Sequence, residues 1–206
     1  MKAVSDRLKN PFGIDPPCRV GAPVPGYGDP AADFHVIGDH PGRHGGTETG
    51  VPFTGTVGAE RLQEVLASVG LLSRPDPVHP EVSNLFLNYL SMCPVDPGTD
   101  PEPADYADHE RFFDAELRAV NAHILLPIGE RATDHVLRGY STRIHKEPRS
   151  MRSRHASEIR GRGFLIVPVI DPADWVSDDQ NQLVTTLERI LASDYRQTKG
   201  VATLVG

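Results

Sequence analysis

Cysteine is scarce in this chain, tryptophan occurs once, and no apolar run is long enough to cross a bilayer. Cys18 and Cys93 cannot build a disulfide framework, and without a CxxC pair they cannot hold zinc or an iron–sulfur cluster alone, so both read as small apolar fillers. The longest apolar stretches are about five residues against the ~20 that span a membrane, which excludes a membrane partner of the helical kind. The start, MKAVSDRLKN, has neither an apolar core nor a small-residue cleavage site, and the expected compartment is the cytoplasm. Also missing are GxGxxG and GxxxxGK[ST], the spellings by which glycine-rich loops cradle dinucleotides and nucleoside triphosphates. Positive charge is short too: 21 Lys and Arg stand against 28 Asp and Glu, a net of −7. Spread evenly, that balance argues against nucleic acid. Between Arg143 and Arg162, however, seven basic residues less Glu147 and Glu158 give a local +5 and leave −12 for the remainder, so an acidic body can carry a basic face.

The 206 residues fit one hydrophobic core. Residues 1–32 are rich in proline and glycine without a sustained period, and are expected to form an arm packed on a single domain over 33–206. Short apolar runs at Asp33–Gly38, Ser83–Leu90, His123–Gly129 and Gly163–Pro172 read as four strands. Between them, Leu62, Val65, Leu66 and Val69 recur at helical spacing, as do Phe112, Phe113, Leu117 and Val120, and later Leu183, Leu187 and Ile190; Glu130–Arg138 reads as a short helix. Strands alternating with helices predict a three-layer α/β/α sandwich around a mainly parallel four-stranded sheet. Ligands bind such sheets beyond the carboxyl ends of the strands, where the loops over 39–53, 88–96 and 171–175 would converge.

The first of these loops holds most of the chemistry. GDHPGRHGGTETGVPFTG, Gly38–Gly55, is readable as a tight turn, or through His40 and His44 as a zinc site, although Pro41 and Gly42 keep those histidines off one helix face. A third reading fits the order of residues. Gly38, Asp39, His40, Pro41, Gly42, then Thr49, Gly50, Val51, Pro52, Phe53, Thr54 and Gly55, resemble the first motif of the uracil-DNA glycosylase superfamily. In the archaeal and thermophilic branch that carries an iron–sulfur cluster it reads G-E-x-P-G followed by T-G-x-P-F-x-G; here one extra residue separates the halves. SNLFLNYLSMCPVDPG resembles the branch's T-N-x-x-K-C-x-P-P segment, and NAHILLPIGERAT its strand and G-x-x-A helix start. The likeness covers most of Arg19–Trp175.

That resemblance implies a DNA glycosylase that hydrolyses the N-glycosidic bond of uracil or a related damaged base in DNA, after the nucleotide is extruded from the stack. Phe53 would stack on the flipped ring, or anchor the loop in the core. Asn88 would read the uracil edge with one donor and one acceptor, with Asn84 as the fallback, since Met92 or Cys93 leaves the register open by one residue. Asp39 would stabilise positive charge on the sugar and orient water, or else cap a nearby helix. Where relatives carry H-P-S, this chain carries Asp171, Pro172 and Ala173, and an aspartate cannot donate a hydrogen bond to the leaving base. His40 or His44 would then supply a donor from the opposite wall. The alternative is a weak or inactive relative that binds DNA or a protein partner.

The positions matching the cluster ligands are Asp15, Cys18, Met92 or Cys93, and Asp108 or His109, so at most two thiolates remain and neither metal nor cofactor is expected. Arg149, Arg152 and Arg154 would contact DNA phosphates, or belong to a solvated loop. Trp175 follows the last motif, where relatives insert an apolar wedge; it would otherwise fill the base site or seal the sheet end. A monomer is expected, with Phe53 and Asn88 facing one slot sized for a planar base.

Overall fold

A computed structural model describes residues 16–120, 122–141, 148, 150–176 and 178–193. Along the chain the strands are β1 (Tyr27–Gly28), β2 (Phe34–Gly38), β3 (Leu72–Arg74), β4 (Glu81–Val82), β5 (Leu85–Tyr89), β6 (Ile124–Pro127), β7 (Ile159–Arg160) and β8 (Leu165–Ile166). The helices are α1 (Pro41–His44), α2 (Val57–Ser68), α3 (Pro103–Ala119), α4 (Gly129–Tyr140), α5 (Met151–Arg154) and α6 (Asp179–Ala192).

Six strands form one sheet in the order β1-β5-β2-β6-β8-β7. The four inner strands are the four apolar runs of the sequence, and they pair in parallel. Each is covered on both faces, which is why the runs show no polar alternation. The sheet is wider than the sequence implies, because β1 and β7 add antiparallel edges of two residues each, too short to carry a period. Such short edges offer little backbone for pairing with another chain.

On one face Phe34, Val36, Leu85, Leu87, Ile124 and Leu126 pack against Leu62, Val65 and Leu66 of α2 and Leu183 and Leu187 of α6. On the other, Ile37, Leu125 and Ile166 meet Phe113 and Leu117 of α3 and Val136 and Leu137 of α4. Helix α2 starts where the Thr56 hydroxyl accepts from the Ala59 amide at 3.1 Å and stops before Gly70, whose φ of 78° continues no helix. Helix α3 opens with Pro103 in its first turn and with the Asp105 carboxylate accepting from the Glu102 amide at 2.9 Å. The register Gly38↔Tyr89, extended by Leu90 N to Gly38 O at 2.9 Å, brings Asp39, Leu90 and Ile128 to one end of the sheet.

Residues 16–32 run from this end down the edge of β5: the Val24 amide donates to Met92 O at 2.7 Å, β1 pairs with β5, and the Asp29 amide donates to Leu85 O at 3.1 Å. Residues 1–15 of the expected arm lie outside the described residues, as does Arg149. Cys18 and Cys93 are not the separate fillers that their scarcity suggested but a disulfide closing a separation of 75 residues. No helix among the described residues is long and apolar enough to cross a membrane.

His35 on β2 is wholly buried beneath Phe86, and burial holds its imidazole neutral, with a pKa near 4. A folded value below the ordinary 6.5 means that the unfolded chain binds the proton more tightly. Stability is therefore full above about pH 6.5 and is lost as pH falls toward 4, on the order of 3 kcal/mol from this residue. Thermal unfolding followed by circular dichroism is expected to show that decline, with a shallower slope in His35→Leu.

Candidate active site

The loop after β2 is packed on itself by glycine. A Cβ on Gly38 would stand 2.7 Å from the Tyr89 ring and 2.8 Å from Phe53, and one on Gly45, whose φ is 92°, would lie 1.9 Å from the Thr54 carbonyl oxygen. That close approach places Asp39 and His40 at the carboxyl end of the sheet.

Asp39 is 5% exposed and held from two sides. Its Oδ1 accepts from the Tyr106 hydroxyl at 2.5 Å, and its Oδ2 lies 3.5 Å from Arg131 Nε. The Arg131 guanidinium also sits 4.5 Å above the Tyr106 ring, so the three side chains form one unit joining β2, α3 and α4. Burial, followed by the hydrogen bond to Asp39, pushes the Tyr106 phenol far above its usual range, so it remains a donor. This unit lines an open cleft of about 900 Å³ between α3 and α4, together with Arg43, Leu90 and Asp100.

Asp171 reaches the same region from beyond β8. It caps a 3₁₀ turn, Pro172–Asp174, through Ala173 N at 3.1 Å, and its Oδ2 accepts from Arg43 Nε at 2.7 Å. The aspartate expected to repel a leaving anion is thus paired with a half-exposed guanidinium that itself lines the cleft. His40 is buried, with Nε2 3.3 Å from Asp100 Oδ1 and Nδ1 without a protein partner. Its pKa is lowered chiefly by burial, which leaves it neutral with a hydrogen-bonding atom to spare. His44 is neutral for the same reason, its pKa near 4, and its ring stacks with Tyr89 at 6.2 Å and tilts against Phe53 at 5.6 Å.

Phe53 and Asn88 do not share a slot. Phe53 adopts a left-handed backbone with φ of 57°, is 2% exposed, and packs against Tyr89 with ring centroids 5.2 Å apart. Its amide donates to the Tyr89 hydroxyl at 2.7 Å, and that hydroxyl donates to Gly45 O at 2.8 Å. Asn88 is the preceding strand residue, and successive side chains of a strand point to opposite faces. It turns to α3, where Nδ2 donates to Glu116 Oε2 at 3.0 Å. Asn84, the fallback, has φ of 55° and accepts from the Asp33 amide at 2.7 Å, a turn role at the far end of β5.

The basic segment also departs from expectation. Arg152 donates to both carboxylate oxygens of Asp179, at 2.6 and 2.5 Å. Arg154 is 4% exposed, bonded to Asp134 Oδ1 at 2.7 Å and to the Pro148 carbonyl, so it cannot reach a phosphate. We expect Arg154→Ala to lower stability by about 2 kcal/mol in denaturant titrations, the scale of charged hydrogen bonds, while leaving the salt dependence of DNA binding unchanged. Trp175 does not project as a wedge: it is 9% exposed, donates to Ile170 O at 2.8 Å and seals the sheet end, while its neighbour Val176 is 59% exposed.

Tyr106, Arg131 and Arg43 escaped the sequence reading. Only Arg43 left a signal, a cation within the first motif opposite an aspartate in the last. Among the described residues one trio of potential metal ligands comes together, Cys18, Cys93 and His109, and none of the three lines the cleft.

The sequence model of the Uracil DNA glycosylase superfamily matches residues 25–191. A type-5 uracil-DNA glycosylase of Thermus thermophilus is 30% identical over 129 residues, 61% of this chain and 59% of that protein. A type-5 uracil-DNA glycosylase of Pyrobaculum aerophilum is 28% identical over 177 residues, 83% of this chain and 74% of its own. A type-4 uracil-DNA glycosylase of Saccharolobus solfataricus is 23% identical over 176 residues, 85% and 74% of the two chains. The Thermus match therefore spans less than two thirds of that relative's own length.

Proposed function

Since the chain belongs to the uracil-DNA glycosylase superfamily, we propose that it hydrolyses the N-glycosidic bond of uracil, or of a related damaged base, in DNA, as the opening step of base excision repair. The observation that carries this reading is Asp39, a buried carboxylate fixed by Tyr106 and Arg131 at the wall of the cleft. As the bond between base nitrogen and anomeric carbon lengthens, positive charge grows on the sugar and negative charge on the base. Asp39 stabilises the first charge and orients the water that adds to the anomeric carbon; an already oriented carboxylate needs no reorganisation during the reaction. Arg43 takes the part for which Asp171 is unsuited: its Nε offsets the aspartate, and its other guanidinium N–H groups serve as donors to the departing base.

Apart from Arg43, Arg131 and Arg138, the charged side chains of the cleft are acidic, with Glu110, Asp114, Glu130 and Asp134 along its walls. That lining suits a neutral base and sugar and repels phosphate, so the DNA backbone stays at the rim, near the exposed Arg138 and the half-exposed Arg131.

A second reading is favoured by one specific observation. Tyr89 and His44 cover Phe53, so a base could stack on that ring only after they move. A relative that binds DNA without cutting it would keep this aromatic cluster closed. A labelled oligonucleotide with a single uracil separates the two: strand breaks after alkali support the glycosylase, whereas binding that weakens steeply with salt and yields no breaks supports the non-cleaving relative.

A further inference from the structure

The cluster carried by the branch that this chain resembles needs four ligands on separate irons, and the residues here do not fit it. Among the described residues three ligand atoms come together, those of Cys18, Cys93 and His109, all within 4.8 Å of one another. Cys18 and Cys93 are joined as a disulfide, so an ion can enter only after reduction separates the sulfurs; two thiolates and one imidazole then suit a single tetrahedral ion, whereas a cubane takes four ligands on separate irons.

The hydrogen bonding of His109 points the same way. Its Nδ1 lies 2.6 Å from the Asp105 carbonyl oxygen, a contact that requires the proton on Nδ1; the Ser91 hydroxyl is 3.4 Å from the same atom. In the neutral ring Nε2 then carries the lone pair, and it faces Cys93 Sγ at 3.0 Å. A disulfide sulfur has no hydrogen to offer. In that tautomer, oxidation of Cys18 and Cys93 leaves a buried acceptor facing a second electron-rich atom. A thiol proton or a cation between the two atoms relieves that contact. Metal-binding histidines are held in the same manner, the free N–H fixed on a backbone carbonyl.

We propose that Cys18, Cys93 and His109 form a redox-gated site for a single thiophilic divalent cation, zinc as the representative, closed by the disulfide when oxidised. A dithiol reductant transfers two electrons and two protons, the S–S bond breaks, and the reductant leaves as its own disulfide. The ion then binds two thiolates and the His109 Nε2 lone pair, releasing the two thiol protons to solvent, with water in the fourth position. The site joins the residue 16–32 segment to the loop after β5 and to α3, one turn beyond Tyr106, and so braces the helix that holds Asp39. It stands or falls independently of whether the cleft cuts DNA.

The test is zinc binding by the full chain, reduced with a dithiol, freed of it by anaerobic gel filtration and titrated with zinc under native mass spectrometry. One zinc per reduced chain is expected, with two protons displaced and both cysteines shielded from alkylation. The oxidised chain and Cys93→Ser should bind none, and His109→Gln should bind at least tenfold more weakly. Equal zinc uptake by oxidised and reduced protein, alkylation unaffected by zinc, or four irons per chain after reconstitution with iron and sulfide would each overturn the proposal. Because the shielding is read on the unsubstituted chain, a variant that fails to fold does not decide the outcome.

Discussion

Asp39→Asn is expected to slow single-turnover release of uracil by roughly 10²–10³-fold, the scale on which one fixed electrostatic group stabilises a transition state. The substitution preserves shape and keeps a carbonyl oxygen that can accept from Tyr106, now 2.5 Å from the carboxylate. What disappears is the negative charge beside the sugar. Arg131 loses an ion pair at 3.5 Å but is half exposed, so water can solvate it and the fold should hold. Oligonucleotide affinity is therefore expected to change little, because the lost interaction belongs to the transition state and not to ground-state binding. A drop in rate matched by an equal drop in affinity would mean that Asp39 only shapes the cleft.

Arg43→Gln is the second large effect, expected to cost about 10²-fold in the same assay. Glutamine removes the cation from the leaving-base side and also exposes the cleft to the uncompensated charge of Asp171, whose Oδ2 is now 2.7 Å from Arg43 Nε. If that residual anion is part of the damage, Arg43→Gln combined with Asp171→Asn should be faster than Arg43→Gln alone. Two side chains in direct contact are expected to deviate from additivity in this way. Strict additivity would place the two residues in separate roles.

The scaffold was legible because each inner strand lies in a mostly buried apolar run bounded by glycine, proline or turn residues, and the helices between them show a clean stripe. The edges were not, since two-residue strands such as Tyr27–Gly28 exist only through their partner. The site was half legible. Asp39 followed from the resemblance of Gly38–Gly42 to the family's first motif, but Tyr106 and Arg131 lie on helices whose motifs carry no trace of the loop they meet. Asn88 shows the other limit: a register change of one residue on β5 exchanges the face it points to, so Tyr89 packs on Phe53 while Asn88 turns to Glu116. Arginine count likewise said nothing of availability, for Arg154 is buried against Asp134, and Arg152, though half exposed, is bonded to Asp179.

The central claim is that the cleft beside Asp39 breaks a glycosidic bond. Its most direct measurement is free uracil, quantified by mass spectrometry after mixing excess protein with a uracil-containing oligonucleotide, for the natural chain and for Asp39→Asn. Stoichiometric uracil from the natural chain and a rate at least 100-fold lower from the variant is the predicted result. Intact oligonucleotide bound to both proteins, with no uracil released by either, would contradict it.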